Sequence, residues 1–342
     1  MKPLFFWLLA VAASALHLLG SDAIPAKVSA NELKGWVSYL SSDEMKGRKN
    51  GSEEIERAAQ WLAERFKELG LTPAPGSQSY FQEYEIEHKE EKFPAKNVIG
   101  WMEGDDPELK AEYIVLTGHY DHVGTNPELE GDTIFNGADD DASGVAAAMG
   151  VAASLGRLRG DGNFTLKRSL LVIAFSGEEL RLLGSEHYTK HPLVPLEKMA
   201  VNLNFELVGH SEKNGRNKFF MSGQSYSDLF DYAKASAPAY GWELIDNPFP
   251  EMKLFFRSDN VRFALLEFDR ENKTGMGIPA HAFSTWGGEE HYHQVFDEAD
   301  RMDFENMAGF VRMMSGLAAK LANQPEWVQW KEGGDIAFRR PE

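Results

Sequence analysis

The chain reads as an α/β protein: a mixed, mostly parallel central sheet with helices on both faces. Two observations predict this. Short apolar runs at Tyr113–Thr117, Ser169–Phe175 and Met199–Phe205 have little polar character on either side, as strands covered on both faces do. Between them lie stretches with apolar residues at helical spacing, and strands that alternate with helices build a largely parallel sheet. With 342 residues the chain can bury a sizeable core.

The elements follow in order. Lys2 precedes an uncharged, mostly apolar run from Pro3 to Ser21, with small residues at Ala13-Ser14-Ala15 and Ser21-Asp22-Ala23. Residues 1–23 therefore read as a cleaved export signal rather than an anchor, because Ser, His and Gly dilute the second half of the run. Residues 24–342 are expected to form one domain, exported to a periplasm or secreted, with no membrane association once the signal is removed.

Val28–Gly47 reads as an amphipathic helix, capped by Ser29 or Asn31, and Ser52–Gly70 as a second helix with a glycine stop at Gly70. Tyr80–Ile86 and Ala95–Met102 read as strands, followed by the apolar strand Tyr113–Thr117 and an Ala-rich helix over Ser143–Leu158. Ser169–Phe175 is a buried strand, Leu180–Lys190 a helix and Met199–Phe205 a further strand. Phe219–Met221 is short and β-like, Ser225–Ala237 helical, and Asp303–Ala322 a long closing helix. The strands near Val98 and Val115 lie too close in sequence to admit an inserted second domain.

Charge and composition narrow the chemistry. The balance of 35 basic and 53 acidic residues gives a formal charge of −18, which disfavours nucleic acid and anionic membrane surfaces as partners. The absence of cysteine excludes disulfides, thiolate zinc sites and cysteine nucleophiles. A G-x-S-x-G nucleophile signature and a phosphate-binding GxxxxGK[ST] loop are also missing.

The polar residues that remain fall at strand ends, where open α/β sheets form their sites. His119-Tyr120-Asp121 follows one strand, Gly177-Glu178-Glu179 a second, and Glu206 a third. The segment GADDDASG at Gly137–Gly144 places three acids before a helix start, more than a cap needs, and a carboxylate there can bridge two cations. Asp121 has the spacing to hold the second nitrogen of His119. In His291–Asp300 two histidines, His291 and His293, compete for a ligand role, and Ser258-Asp259-Asn260 suits a supporting or substrate-contacting part. His, Asp and Glu converging from separate strand ends make a hard nitrogen/oxygen site suited to zinc, with manganese or cobalt as substitutes.

Together these motifs resemble the co-catalytic zinc aminopeptidases of metallopeptidase clan MH, family 28, which include bacterial leucyl aminopeptidases. The resemblance covers about Val28 to Ala319 and implies the zinc-dependent exopeptidase (phosphorylase/hydrolase-like) fold. It implies two Zn2+ ions, with His119 a ligand of one, Glu179 a ligand of the other, Asp140 as the bridge, and Glu206 and His293 as further ligands. Glu178 matches the general base, and Asp121 the partner of the first histidine. The implied activity is removal of amino-terminal residues from peptides by a hydroxide bridging the zinc pair, with Glu178 moving the proton. Glu206 stands where better-known members carry Asp, and Asn260 where a His is common, which touches specificity more than the metals. A glutaminyl-peptide cyclotransferase or a carboxypeptidase of the same fold is the alternative, and a non-catalytic binding module the more distant one.

Overall fold

The computed structural model describes residues 23–162, 164–266 and 277–331; the expected export signal falls outside them except for Ala23. Helix α1 (Ala30–Leu40) begins where the Ser29 hydroxyl accepts a hydrogen bond from the Glu32 N–H at 3.2 Å, so Ser29 is the cap. Helix α2 (Glu53–Glu68) is capped in the same way by Ser52, which accepts from Ile55 N–H. Strands β1 (Thr72–Pro73), β2 (Phe81–His88), β3 (Glu91–Met102) and β4 (Tyr113–His119) follow, then the small hairpin of β5 (Gly124–Thr125) and β6 (Ile134–Phe135). A wide turn at Ala138–Ser143 leads into α3 (Gly144–Gly160). The remainder is β7 (Ser169–Phe175), α4 (Leu183–Lys190), β8 (Met199–Phe205), β9 (Lys218–Met221) and α5 (Leu229–Ser236). It closes with β10 (Glu243–Leu244), α6 (Asn260–Ala264), β11 (Ala280–Ser284) and α7 (Phe304–Asn323).

Among the described residues the main sheet has the order β1-β3-β7-β4-β8-β11-β9-β10, with β2 also paired to β3. The centre is parallel, β4 against β7 and β8 and β8 against β11, while β2 and β3 run antiparallel to their neighbours and β9 is antiparallel to β11 but parallel to β10. The expected mixed, mostly parallel sheet is therefore present.

Period-two alternation divides the central strands between two cores. On β4, Ile114 and Leu116 enter one core while Tyr113 and Val115 enter the other; on β7, Leu170, Val172 and Ala174 oppose Leu171, Ile173 and Phe175 in the same manner. The first core is roofed by α1, α2, α3 and α7, and the second by residues such as Tyr188 of α4 and Phe263 of α6. At Gly144 a Cβ would lie 2.3 Å from Asp141 Oδ2 and 2.4 Å from the Phe205 carbonyl, so only glycine lets α3 start this close to the strand ends.

Several elements differ from the sequence expectation, helix α1 ending at Leu40 and not Gly47 among them, and three of the differences lie near the site. Strand β4 extends to His119, so that histidine is the last residue of the strand and not part of the loop after it. Helix α4 starts at Leu183 rather than Leu180, because Arg181 and Leu182 take positive φ values of 77° and 64° and turn the chain first. Strand β11 was not anticipated, since the short run AHAFS carries a histidine, His281, among its apolar residues. That ring is buried, with Nε2 2.7 Å from Ser227 Oγ and Nδ1 2.7 Å from the Ser222 carbonyl, and these partners come from distant sequence.

Candidate metal centre

Strand β4 delivers His119 to the carboxyl edge of the sheet, the turn after β7 delivers Glu178 and Glu179, and the end of β8 delivers Glu206. The GADDDASG turn brings Asp140 between them, and the loop after β11 brings His293 from the opposite side. The five expected ligand positions thus lie together, in two groups that share Asp140. In the first, His119 Nε2 is 3.2 Å from Asp140 Oδ1 and 3.5 Å from Glu206 Oε1. In the second, His293 Nε2 is 3.0 Å from both Asp140 Oδ2 and Glu179 Oε1. The two oxygens of Asp140 therefore face different groups, the arrangement that a bridging carboxylate requires.

The donor set fits a pair of divalent cations. His119 Nε2, Asp140 Oδ2 and Glu179 Oε1 are buried and make no hydrogen bond among the described residues. Buried polar atoms without partners are costly, and several of them aimed at common points call for a ligand. Imidazole and carboxylate donors with no sulfur suit zinc.

The family profile of peptidase family M28 matches residues 97–318. The chain belongs to this family. Its relatives include a probable zinc metalloprotease of Pyrenophora teres f. teres (strain 0-1), 30% identical over 166 residues, covering 46% of this chain and 33% of that protein. Aminopeptidase YwaD of Bacillus subtilis (strain 168) is 29% identical over 135 residues, covering 39% of this chain and 26% of its own length. The chain thus spans about a third of the length of the curated relatives it matches. Among solved structures, the zinc aminopeptidase BSAP from Bacillus subtilis superposes with a TM-score of 0.64 at 16% identity, covering 86% of this chain and 95% of that one. Glutaminyl cyclase from Porphyromonas gingivalis superposes with a TM-score of 0.65 at 19% identity, covering 86% and 98%. At these identities the likeness to both structures is one of fold.

In this M28 member the three acids of the turn do separate work. Asp139 accepts from Gly209 N–H at 2.7 Å and from His291 Nε2 at 2.9 Å. Asp141 accepts from the N–H groups of His119, Gly144 and Leu207, tying β4, α3 and the loop after β8 to one carboxylate. Asp140 alone reaches the two groups. Its backbone N–H and that of Asp139 are held by the two oxygens of Asp297, at 3.0 and 2.8 Å. Of the two competing histidines, His293 faces Asp140 and Glu179. His291 is stacked on His210, 4.0 Å between ring centres, and the pair forms with Asp139 a separate group already joined by a hydrogen bond.

Asp121 supports the centre along a different path from the one its spacing suggested. The acceptor nearest His119 Nδ1 is the backbone carbonyl of Asp121 at 3.1 Å, with its carboxylate at 3.6 Å. That carboxylate accepts instead from the N–H groups of Glu178 and Glu179, each at 3.2 Å, and from Asn50 Nδ2 at 2.7 Å. It thereby fixes the turn carrying both glutamates.

Glu206 is held by a polar ladder inside the apolar sheet. Asn202, Asn204 and Glu206 share one face of the β8 strand and its continuation. Asn202 Nδ2 donates to Thr117 Oγ1 at 2.9 Å, Thr117 to Asn204 Oδ1 at 2.6 Å, and Asn204 Nδ2 to Ser258 Oγ at 2.7 Å. Ser258 then donates to Glu206 Oε2, which leaves Oε1 for the His119 side. Of the Ser258-Asp259-Asn260 constellation, only Ser258 touches a ligand position. Asn260 is buried and donates to the Phe255 carbonyl at 3.1 Å.

Burial pushes the Glu178 carboxyl well above the ordinary range, with Glu206, Asp259 and Glu179 adding to the push against the opposing pull of His119. Burial would raise Asp140 as well, but the imidazoles of His119 and His293 outweigh it and hold that carboxyl well below its usual value. Glu178 and Asp140 are thus pushed in opposite directions, the separation that an acid/base group and a cation ligand need.

Two residues of this region were not singled out from sequence. Arg48 is fully buried and donates to four carbonyls, those of Leu40, Tyr120, Asn136 and Gly137, so it joins the HYD and GADDD loops. His122 lies against Glu179, with Nδ1 3.1 Å from Oε1. Its position one residue after the H-x-D string was the available signal.

Proposed function

We propose that this protein is a two-zinc aminopeptidase that removes amino-terminal residues from peptides. The observation that carries the reading is the pair of ligand groups sharing Asp140, with Glu178 beside them and its Oε2 3.9 Å from His119 Nε2. A zinc pair bound there supplies Lewis acidity toward the substrate carbonyl and lowers the pKa of water. Glu178 holds the attacking water, takes its proton and passes it to the leaving amine. Asp121 keeps Glu178 in place through its backbone N–H.

A pocket opens beside Glu206 and is lined by Phe220, Met252, Leu254, Trp286 and Tyr292, among others. Its apolar walls support a preference for a bulky apolar first residue, since each buried CH2 contributes about 0.8 kcal/mol. Export, with residues 1–23 as the signal and residues 24–342 as one domain, belongs to the same proposal on the strength of the apolar run after Lys2.

A panel of aminoacyl nitroanilides, assayed with and without chelator, tests the reading. Leucyl and phenylalanyl substrates should be cleaved and chelator should abolish the release. No release from any member after zinc or cobalt loading overturns the proposal. Ammonia release from glutaminyl peptides in place of cleavage assigns the cyclase chemistry of the same fold instead.

A further inference from the structure

His122 is the unexplained member of the centre. Its ring is buried, and neither Nδ1 nor Nε2 has a hydrogen-bond partner among the described residues. Nδ1 is 3.1 Å from Glu179 Oε1 and 3.8 Å from Asp140 Oδ2, both of which also lack hydrogen bonds. The ring meets His293 edge-on, 5.5 Å between centres, so that both imidazoles and both carboxylates converge on one point. Ligands about 2.0–2.1 Å from a tetrahedral zinc ion stand about 3.3 Å apart. The observed separations of 3.0, 3.0, 3.1 and 3.8 Å bracket that value.

We propose that His122 is a fourth protein ligand on the Glu179 side, so that the two metal positions are unequal. One is closed by His122, Asp140, Glu179 and His293; the other has His119, Asp140 and Glu206 and keeps a place open. A closed four-ligand position is the arrangement of a tightly held ion, whereas three protein ligands leave room for water or substrate. The closed position therefore fills first and releases its ion last. A purely structural His122 would pack against its neighbours with at least one nitrogen bonded, and this one aims Nδ1 at two unpaired carboxylate oxygens.

The inference rests on the two-metal reading above, and direct metal binding separates the two. Protein stripped with chelator is titrated with zinc alone and the bound ions are counted by elemental analysis. Wild type should bind two ions in a tighter and a weaker class. In His122→Asn and His122→Phe the tighter class should weaken by at least about 10–100-fold, the loss that follows even when a neighbour that only orients a ligand is removed, while the weaker class stays. Variants that hold both ions at wild-type affinity overturn the role of His122 and leave the two-metal reading standing. A wild type that binds no zinc overturns both.

X-ray absorption of wild type carrying one equivalent of zinc gives a readout that needs no variant. Two imidazoles on that ion are expected, and one imidazole overturns the proposal.

Discussion

Glu178 and Glu179 are neighbours in the chain with opposite tasks, and the difference lies in what each carboxylate meets. Glu179 Oε1 stands 3.0 Å from His293 and 3.1 Å from His122, and those imidazoles outweigh burial to lower its pKa. Glu178 is buried next to Glu206, Asp259 and Glu179, which favour its protonated form. Glu178→Gln keeps the shape and the backbone N–H that donates to Asp121, but its side-chain amide cannot accept a proton. The variant should retain the zinc content of wild type and lose about 10²–10⁴-fold in kcat. Metal analysis with steady-state kinetics checks this, and near-normal turnover would remove Glu178 from its role. The sequence exposed both glutamates as a pair; the imidazoles that Glu179 meets come from other segments of the chain.

At the scale of elements, the centre is assembled from loops that would otherwise move independently. Arg48, in the short helical turn after α1, reaches both the segment following β4 and the GADDD turn before α3. Burial lowers its pKa to about 10, so it stays charged at neutral pH, and its donors satisfy four backbone carbonyls. Arg48→Met removes the guanidinium donor from these carbonyls, at about 1–3 kcal/mol for each one left unpaired, though not additively. A loss of about 3–5 kcal/mol in urea unfolding is expected; a loss under about 1 kcal/mol would mean the loops hold themselves. Nothing in the sequence marks Arg48, because its partners are main-chain atoms up to 89 residues away. The Asn202, Asn204, Glu206 ladder was equally hidden: Met199–Phe205 reads as an apolar run, and only contacts with Thr117 and Ser258 give its asparagines a role.

For the molecule as a whole, the formal charge of −18 is partly concentrated at one edge of the sheet, where Asp121, Asp140, Glu178, Glu179 and Glu206 crowd together. Like charges in a buried site oppose folding unless cations offset them. Ions that bind only the folded state stabilise it by RT ln(1 + [L]/Kd), about 2.7 kcal/mol at a free concentration of 100 Kd. Chelation should therefore lower the thermal unfolding midpoint, and added zinc should restore it; calorimetry with and without chelator measures both. An unchanged midpoint would show that the acidic edge folds without help from metal.

The sequence alone determined the α/β class, most of the central strands and the residue types of the centre. Those properties are local: hydrophobic periodicity sets the elements, and the strand-end rule places polar residues at the site edge. Only the tertiary structure decided that β11 joins the sheet, that Ser258 fixes Glu206, and that His122 lies against Glu179. Each of these depends on atoms brought together from distant segments, and pairings across such separations leave no period or spacing in the chain to read.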